Sequence, residues 1–178
     1  MLIVCALVGG ASAEAWRTSR GLLERGRIAG SYLLTSDAAP GRYSEATMIS
    51  IEPVALPYTV TATWRRLGPE AGRSMHVLVG GGVVLIKSGA IALYAYDDAA
   101  FAQGDWRPIA AQTQADHVVS VHQDARSVTV SIDGAAVAHY DLATTRETAH
   151  VGFGMKSAPG LRSSIYVRAI AIAPAQSQ

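Results

Sequence analysis

The clearest pattern in the sequence is the alternation of apolar and polar residues over residues 58–66, "YTVTATWRR". In a strand the two kinds fall on opposite faces: Tyr58, Val60, Ala62 and Trp64 against Thr59, Thr61, Thr63 and Arg65. β-Branched residues suit a pleated surface, and one apolar face with one polar face is typical of an antiparallel sheet. The segment is therefore predicted to be a strand that covers a core on one side.

The same period of about two recurs along most of the chain and is interrupted by turn residues. It predicts strands over residues 28–35, 43–52, 58–66, 74–79, 83–87, 91–96, 106–109, 117–123, 127–132, 135–140, 149–155 and 164–173. Residues 14–27 lack the period, and glycines interrupt them, so we expect a helical or irregular opening, in which Leu22 and Leu23 could form a single helical turn. Many short strands and almost no helix predict an all-β sandwich or barrel.

The stretch "SVTVSIDGAAVAHYDL" places Asp133-Gly134 between two alternating runs. Asp-Gly in this position predicts a hairpin with a type I′ turn, which needs positive φ at both central residues. We expect Asp133 to be an exposed turn residue that accepts local hydrogen bonds.

Composition narrows the classes of function. Hydrophobic residues make up 49% of the 178 residues, which is enough for the core of one domain, assigned to residues 14–173. Charged residues are only 16% and the net charge is +1, which argues against a nucleic-acid partner. Thirteen of the fifteen basic residues are Arg, and the single cysteine, Cys5, excludes an intramolecular disulfide framework.

The N-terminal residues "MLIVCALVGGASAEAW" resemble a signal peptide, with an apolar run followed by small residues in an A-x-A pattern. We expect residues 1–13 to direct secretion or export to the periplasm; the alternative is an ordinary N-terminal strand. The apolar run is too short to span a membrane. The polar residues 174–178 are expected to be a flexible tail. The chain has no Asn and much Ala, which suggests a bacterial source.

Three runs near the C-terminus, "DHVVSVHQDARSVTVSIDGAAVAHYDL", "AHVGFGMKS" and "SSIYVRAIAI", carry a family resemblance. Together they resemble the C-terminal half of the concanavalin A-like lectin/glucanase superfamily, including its laminin-G-like and 3-keto-disaccharide hydrolase-like domains. The resemblance implies an all-β, antiparallel two-sheet β-sandwich of the jelly-roll type. It also implies that sugars bind, or are cleaved, on a concave sheet.

Motifs for catalysis and for metals are weak. The E-x-D-x-E strand of the superfamily's glucanases is absent, and the adjacent Asp97 and Asp98 would point to opposite faces of a strand. The chain has no cofactor motif, although Asp97, Asp98 and Asp105 could converge to hold Ca²⁺. The five histidines lack zinc-binding spacing; His122 and His139 could lie near each other in the hairpin region.

Aromatic residues give the best indication of a binding site. Tyr94 and Tyr96 share a strand face, and Trp64 and Trp106 could lie nearby, as a platform for the apolar faces of sugars. Candidate polar partners are Arg65, Arg107 and Gln103. The alternative for these aromatic residues is a place in the sandwich core.

Three functions remain open from the sequence. The first is an exported noncatalytic module that binds a glycan or polysaccharide. The second is a sugar-active hydrolase of the 3-keto-disaccharide hydrolase-like type, which would need converging acidic or His groups. The third is a structural or protein-binding laminin-G-like domain.

Overall fold

The computed structural model describes residues 16–25, 30–67, 74–96, 101–103, 105–110, 116–142 and 147–174. The predicted signal peptide, Asp97, Asp98 and residues 175–178 lie outside these ranges. None of the described residues is helical, and none therefore belongs to a helix that could cross a membrane.

The described residues form seventeen strands. The first nine are β1 (Trp16–Arg20), β2 (Leu22–Arg25), β3 (Tyr32–Asp37), β4 (Ser44–Ser50), β5 (Val54–Ala55), β6 (Tyr58–Leu67), β7 (Ser74–Val79), β8 (Gly82–Lys87) and β9 (Ala90–Tyr96). The others are β10 (Phe101–Gln103), β11 (Arg107–Pro108), β12 (Asp116–Gln123), β13 (Ser127–Ile132), β14 (Ala135–Asp141), β15 (Thr148–Ala149), β16 (Gly152–Ser157) and β17 (Arg162–Pro174).

Two large antiparallel sheets pack face to face. The eight-stranded sheet has the order β1-β4-β16-β7-β8-β9-β10, with β11 also paired to β9, and the seven-stranded sheet has the order β14-β13-β12-β6-β17-β3-β2. A small sheet pairs β15 with β5. The predicted two-sheet β-sandwich is confirmed, and most predicted strands match the observed ones to within two residues at each end. The exceptions are the prediction over 28–35, observed as β3 from Tyr32, and that over 149–155, which spans the end of β15 and part of β16. Residues 14–27 and the short β5, β10 and β15 were not predicted as strands.

The core forms where the apolar faces of the two sheets meet. On β6 the alternation read from the sequence holds, since Tyr58, Val60 and Trp64 are buried. The eight-stranded sheet contributes alternate residues of β7, β8, β9 and β16, including Val77, Val84, Ile91, Phe153 and Met155. Burial of these side chains is the main stabilising contribution to the fold.

The opening segment is not helical, and this prediction was wrong. Its residues form two edge strands: β1 pairs with β4 in one sheet and β2 pairs with β3 in the other. Gly21 lies between them at a φ of +71°, and a Cβ there would come within 2.6 Å of the Ala46 Cβ. The chain thus crosses between the sheets at Gly21, and ladder pairing prevails over the local helical preference of the Leu-Leu-Glu-Arg run.

The predicted Asp-Gly hairpin is confirmed. Asp133 and Gly134 have φ of 52° and 83°, and they join β13 to β14. Asp133 is exposed, as expected, but its carboxylate does more than complete the turn. It accepts a hydrogen bond from the Val118 backbone N–H at 2.8 Å and lies 2.8 Å from Nδ1 of the buried His117. The turn residue therefore also binds β12, the neighbouring strand.

Three aspartates of this region have a pKa below the usual carboxyl range. Hydrogen bonding from Arg65 lowers the pKa of Asp116, and the Arg126 backbone N–H lowers the pKa of Asp124. Partial burial raises the pKa of Asp133, but the hydrogen bonds from His117 and Val118 outweigh this and lower it. In each case the folded protein favours the ionised form.

These shifts predict a loss of stability in acid. A carboxyl group whose pKa is lowered by folding stabilises the protein above its unfolded pKa, about 4, and this contribution disappears as the pH falls through the lower folded value. We expect the thermal unfolding midpoint to fall steeply below about pH 4. Asp133→Asn is expected to lower the unfolding midpoint at neutral pH. It is also expected to make the fall of the midpoint below about pH 4 less steep.

The matched control is Asp37→Asn, at an exposed position at the end of β3. It is expected to leave both the midpoint and the pH profile close to those of the parent. Differential scanning calorimetry between about pH 3 and pH 7 measures both quantities. If the midpoint of the Asp133 variant fell with pH as steeply as that of the parent, the role given to this carboxylate would be contradicted.

Candidate functional site

A cleft of about 370 Å³ opens on the outer face of the eight-stranded sheet. Alternation along the strands decides which side chains reach it: Ile86 and Leu93 point into the core, so Leu85, Lys87 and Tyr94 point outward. The lining combines aromatic, basic and small polar side chains: Tyr43, Ser74, Leu85, Lys87, Tyr94, Trp106 and Lys156.

Three aromatic rings border this cleft. The rings of Tyr94 and Trp106 meet edge to face, with centroids 6.5 Å apart and planes at 70°. Tyr43 lies just before β4, and 64% of it is exposed. Aromatic faces beside polar groups provide the kind of surface on which flat, partly apolar ligands pack.

Each of the two lysines in the lining lies over an aromatic ring. The Lys87 Nζ is 4.1 Å from the centre of the Trp106 ring, and the Lys156 Nζ is 4.9 Å from the centre of the Tyr43 ring. Both separations lie within the range of cation–π attraction. None of the residues that line the cleft is acidic, so its described wall carries positive charge.

The neighbouring part of the same face is filled by His76. Its side chain is buried, its Nε2 is 3.0 Å from the Thr47 Oγ1, and it lies against Gly154. A Cβ on Gly154 would come within 2.6 Å of the Ala46 carbonyl oxygen and of the His76 ring, so glycine makes room for the imidazole. His76 thus packs within this face beside the cleft.

The structure brings together two of the aromatic residues proposed from the sequence, Tyr94 and Trp106. Tyr96 is the last residue of β9, and Gln103 is paired with Tyr94 in the backbone register of β10 and β9. The side chains of Tyr96 and Gln103 lie outside the described part of the structure. Their binding roles therefore stay predictions.

Trp64 and Arg65 lie in the other sheet, away from this cleft. Trp64 is only 1% exposed and belongs to the core. It therefore takes the core position that the sequence left open for these aromatic residues, and it is not part of a sugar-binding platform. Arg65 is exposed on the outer face of the seven-stranded sheet, where it pairs with Asp116 through two hydrogen bonds. The alternation of β6 sends these two residues to opposite faces of one strand.

Arg107 follows Trp106 but turns towards the edge of the seven-stranded sheet. Its Nη1 donates to the His139 carbonyl oxygen at 2.9 Å, and its guanidinium lies 4.7 Å from the centre of the Tyr140 ring. Arg107 is absent from the cleft lining. In this arrangement it links β11 to β14.

The predicted calcium ligands are only partly described. Asp105 is exposed beside Trp106, whereas Asp97 and Asp98 lie outside the described residues. Within the described ranges, no cluster of three or more His, Cys, Asp or Glu side chains could hold a metal. The calcium site stays a prediction.

His122 and His139 lie on one face of the seven-stranded sheet, with Thr129 between them. The Thr129 Oγ1 is 2.9 Å from Nδ1 of His139, while Nδ1 of His122 is 3.1 Å from the Thr59 Oγ1. Each imidazole thus has a hydroxyl neighbour in the adjacent strand. The arrangement is a polar row across the sheet.

The sequence did not single out five of the lining residues: Tyr43, Ser74, Leu85, Lys87 and Lys156. These residues come from separate parts of the chain, and only the strand order β4-β16-β7-β8 brings them together. One signal was available: Lys87 and Lys156 are the two lysines among fifteen basic residues, and each ends or nearly ends an alternating run. The convergence of the two lysines depended on a strand order that local periodicity does not specify.

Comparison with known proteins gives matches only at the level of structure. No family model and no curated protein matches the chain. Among solved structures, the Crh5 transglycosylase is 15% identical with a TM-score of 0.66, over 95% of this chain and 82% of that one. A glycoside hydrolase family 16 endo-glucanase from Bacteroides ovatus is 13% identical with a TM-score of 0.65, over 90% and 95%.

A third similar structure is the carbohydrate binding module CBM66 from Bacillus subtilis. It is 8% identical with a TM-score of 0.63, over 89% of this chain and 94% of that one. Identities this low establish the fold alone, and the three matches cover 89–95% of this chain. The resemblance noted in the sequence is confirmed at this level: the chain has the concanavalin A-like jelly-roll fold.

Proposed function

We propose that this chain is an exported, noncatalytic carbohydrate-binding module that takes a glycan into the cleft on its eight-stranded sheet. The observation that carries the proposal is the edge-to-face pair of Tyr94 and Trp106 at an open cleft with polar neighbours. Aromatic faces pack against the C–H faces of sugars, and nearby amines and hydroxyls bond to sugar hydroxyls. Export rests on the signal-like residues 1–13.

The lining supports binding over hydrolysis. Glycoside hydrolysis uses a pair of carboxyl groups about 5–10 Å apart, one of which protonates the leaving oxygen. The described lining has no carboxyl group, and its polar members are two lysines, Ser74 and the phenols of two tyrosines. The similar structures include both hydrolases and a binding module, so the fold is compatible with either function.

The second candidate, a sugar-active hydrolase, would require acidic residues from outside the described ranges. Asp97 and Asp98 follow β9, whose Tyr94 lines the cleft. A hydrolase would release new reducing ends from a bound glycan and would lose this activity in Asp97→Asn or Asp98→Asn. A binding module would keep its affinity in both variants and release none.

A glycan array followed by calorimetric titration tests the proposal. Trp106→Ala is expected to weaken binding of the best array ligand about tenfold or more, because it removes the ring that packs against Tyr94 and holds the Lys87 ammonium group. The unfolding midpoint is expected to stay close to that of the parent, since Trp106 is only half-buried.

Arg65→Ala is the control, because Arg65 is a polar residue on the outer face of the opposite sheet. It is expected to leave glycan affinity unchanged. A blank array, or a loss of binding with Arg65→Ala but not with Trp106→Ala, would overturn the proposed site.

A further inference from the structure

We infer that the cleft binds an acidic glycan, one whose sugars carry carboxylate or sulfate groups. This inference rests on the proposed function, and it concerns the class of sugar. The sequence has only two lysines, Lys87 and Lys156, and both line this one cleft. Every other basic side chain except the histidines is an arginine.

The backbone register fixes the spacing of the two lysines. Lys156 on β16 is paired with Ser74 on β7, and the β7–β8 pairing of Met75 with Ile86 places Ser74 next to Lys87. Two strand spacings, or about 9.5 Å, therefore separate the backbones of the two lysines. The long side chains let both ammonium groups act on one extended ligand, with the Ser74 hydroxyl between them.

Each ammonium group lies over a ring face, and neither has an ion-pair partner among the described side chains. Ring faces hold them through cation–π attraction, which leaves their N–H donors for a stronger acceptor. Ion pairs between described side chains lie elsewhere, where Arg65 and Arg168 both pair with Asp116. The wall thus presents two positive charges without counter-ions among the described residues.

Two acidic residues come near the cleft without lining it. Glu45 is paired with Lys156 in the β4–β16 register, and Asp105 precedes Trp106, but neither lines the cleft. An anionic group in the cleft would form charge-assisted hydrogen bonds with the lysines, which are stronger than those from neutral hydroxyls. A neutral sugar would offer the lysines only the weaker hydrogen bonds of its hydroxyl oxygens.

Matched glycans that differ only in charge test the inference. The probes are an oligogalacturonate and its methyl ester, and dextran sulfate and dextran; the two pairs separate carboxylate from sulfate. We expect a charged member to bind at least tenfold more tightly than its neutral counterpart, with a loss of affinity as NaCl rises from about 0.05 to about 0.5 M. Polyglutamate, an anion without sugar rings, is expected to bind weakly.

Variants that remove one positive charge test whether Lys87 and Lys156 cause the preference for the charged glycan. Lys87→Gln and Lys156→Gln are expected to weaken binding of the charged glycan about five- to tenfold each, and Lys87→Arg to restore most of it. Arg162→Gln removes an exposed charge at the start of β17 and is the control, with affinity unchanged.

Chemical modification gives a readout without mutation, because the amine reagents reach only Lys87, Lys156 and the chain terminus. Acetylation removes the charge of the lysines and is expected to abolish the preference for the acidic glycan. Reductive methylation keeps the charge and is expected to keep the preference. Equal binding of charged and neutral partners overturns the inference and leaves the proposed function standing. Binding of polyglutamate as tight as that of the acidic glycans overturns both, and so does failure of every glycan to bind.

Discussion

Gln123→Leu is expected to lower the free energy of unfolding by about 3–5 kcal/mol, because it leaves several buried polar groups without partners. Gln123 is 1% exposed and ends β12, and its side chain reaches across the sandwich to the turn between β7 and β8. Its Oε1 accepts from the Gly80 N–H at 2.7 Å and from the Tyr58 hydroxyl at 2.5 Å. Its Nε2 donates to the Gly80 carbonyl at 2.6 Å.

The geometry around Gly80 explains why the amide has no simple substitute. A Cβ on Gly80 would come within 2.8 Å of both the Gln123 Nε2 and the Ala149 Cβ, so the glycine permits the close approach. Burial raises the pKa of the Tyr58 hydroxyl, which therefore stays protonated and donates. One amide thus satisfies a turn of one sheet and a phenol of the other.

Urea unfolding of a double-mutant cycle tests this expectation. Tyr58→Phe alone removes one hydrogen bond and is expected to cost about 1–2 kcal/mol. In the Gln123→Leu background the same change removes an unsatisfied hydroxyl, so we expect it to be neutral or stabilising. A cost below about 1 kcal/mol for Gln123→Leu, or additive effects in the cycle, would contradict the proposed network.

Much of the fold could be predicted because strand periodicity is local. The bounds of β7 and β13 were predicted to the residue, and the Asp133-Gly134 turn followed from the positive φ that a type I′ hairpin demands. The edge strands β1 and β2 were missed because their pairing comes from β4 and β3, outside the segment. An edge strand has one ladder neighbour, and its own alternation is weak.

The candidate site could be predicted only in part because it depends on strand order. Tyr94 and Trp106 are close in sequence, and their pairing follows from one short connection. Tyr43 and Lys156 are more than a hundred residues apart and meet because β4 and β16 are neighbours. Trp64 and Trp106 have the same side chain, so composition could not tell the core residue from the cleft residue.

That difference predicts opposite behaviour for the two tryptophans. Trp64→Ala is expected to lower the free energy of unfolding by about 3–5 kcal/mol, because it empties a fully buried site at the centre of the seven-stranded sheet. Glycan affinity of the folded fraction is expected to be unchanged, because Trp64 lies in the core and does not line the cleft.

Trp64→Phe is the matched control, since it keeps an aromatic ring in the core. The indole Nε1 of Trp64 has no hydrogen-bond partner among the described residues, so phenylalanine loses volume but no hydrogen bond, at a cost of about 1–2 kcal/mol. Urea unfolding and glycan titration on the same samples separate the two roles. A stable Trp64→Ala protein with weakened glycan binding would contradict the assignment of Trp64 to the core and Trp106 to the binding cleft. Such a result would place Trp64 on the binding surface and argue against the cleft at Trp106 as the glycan site.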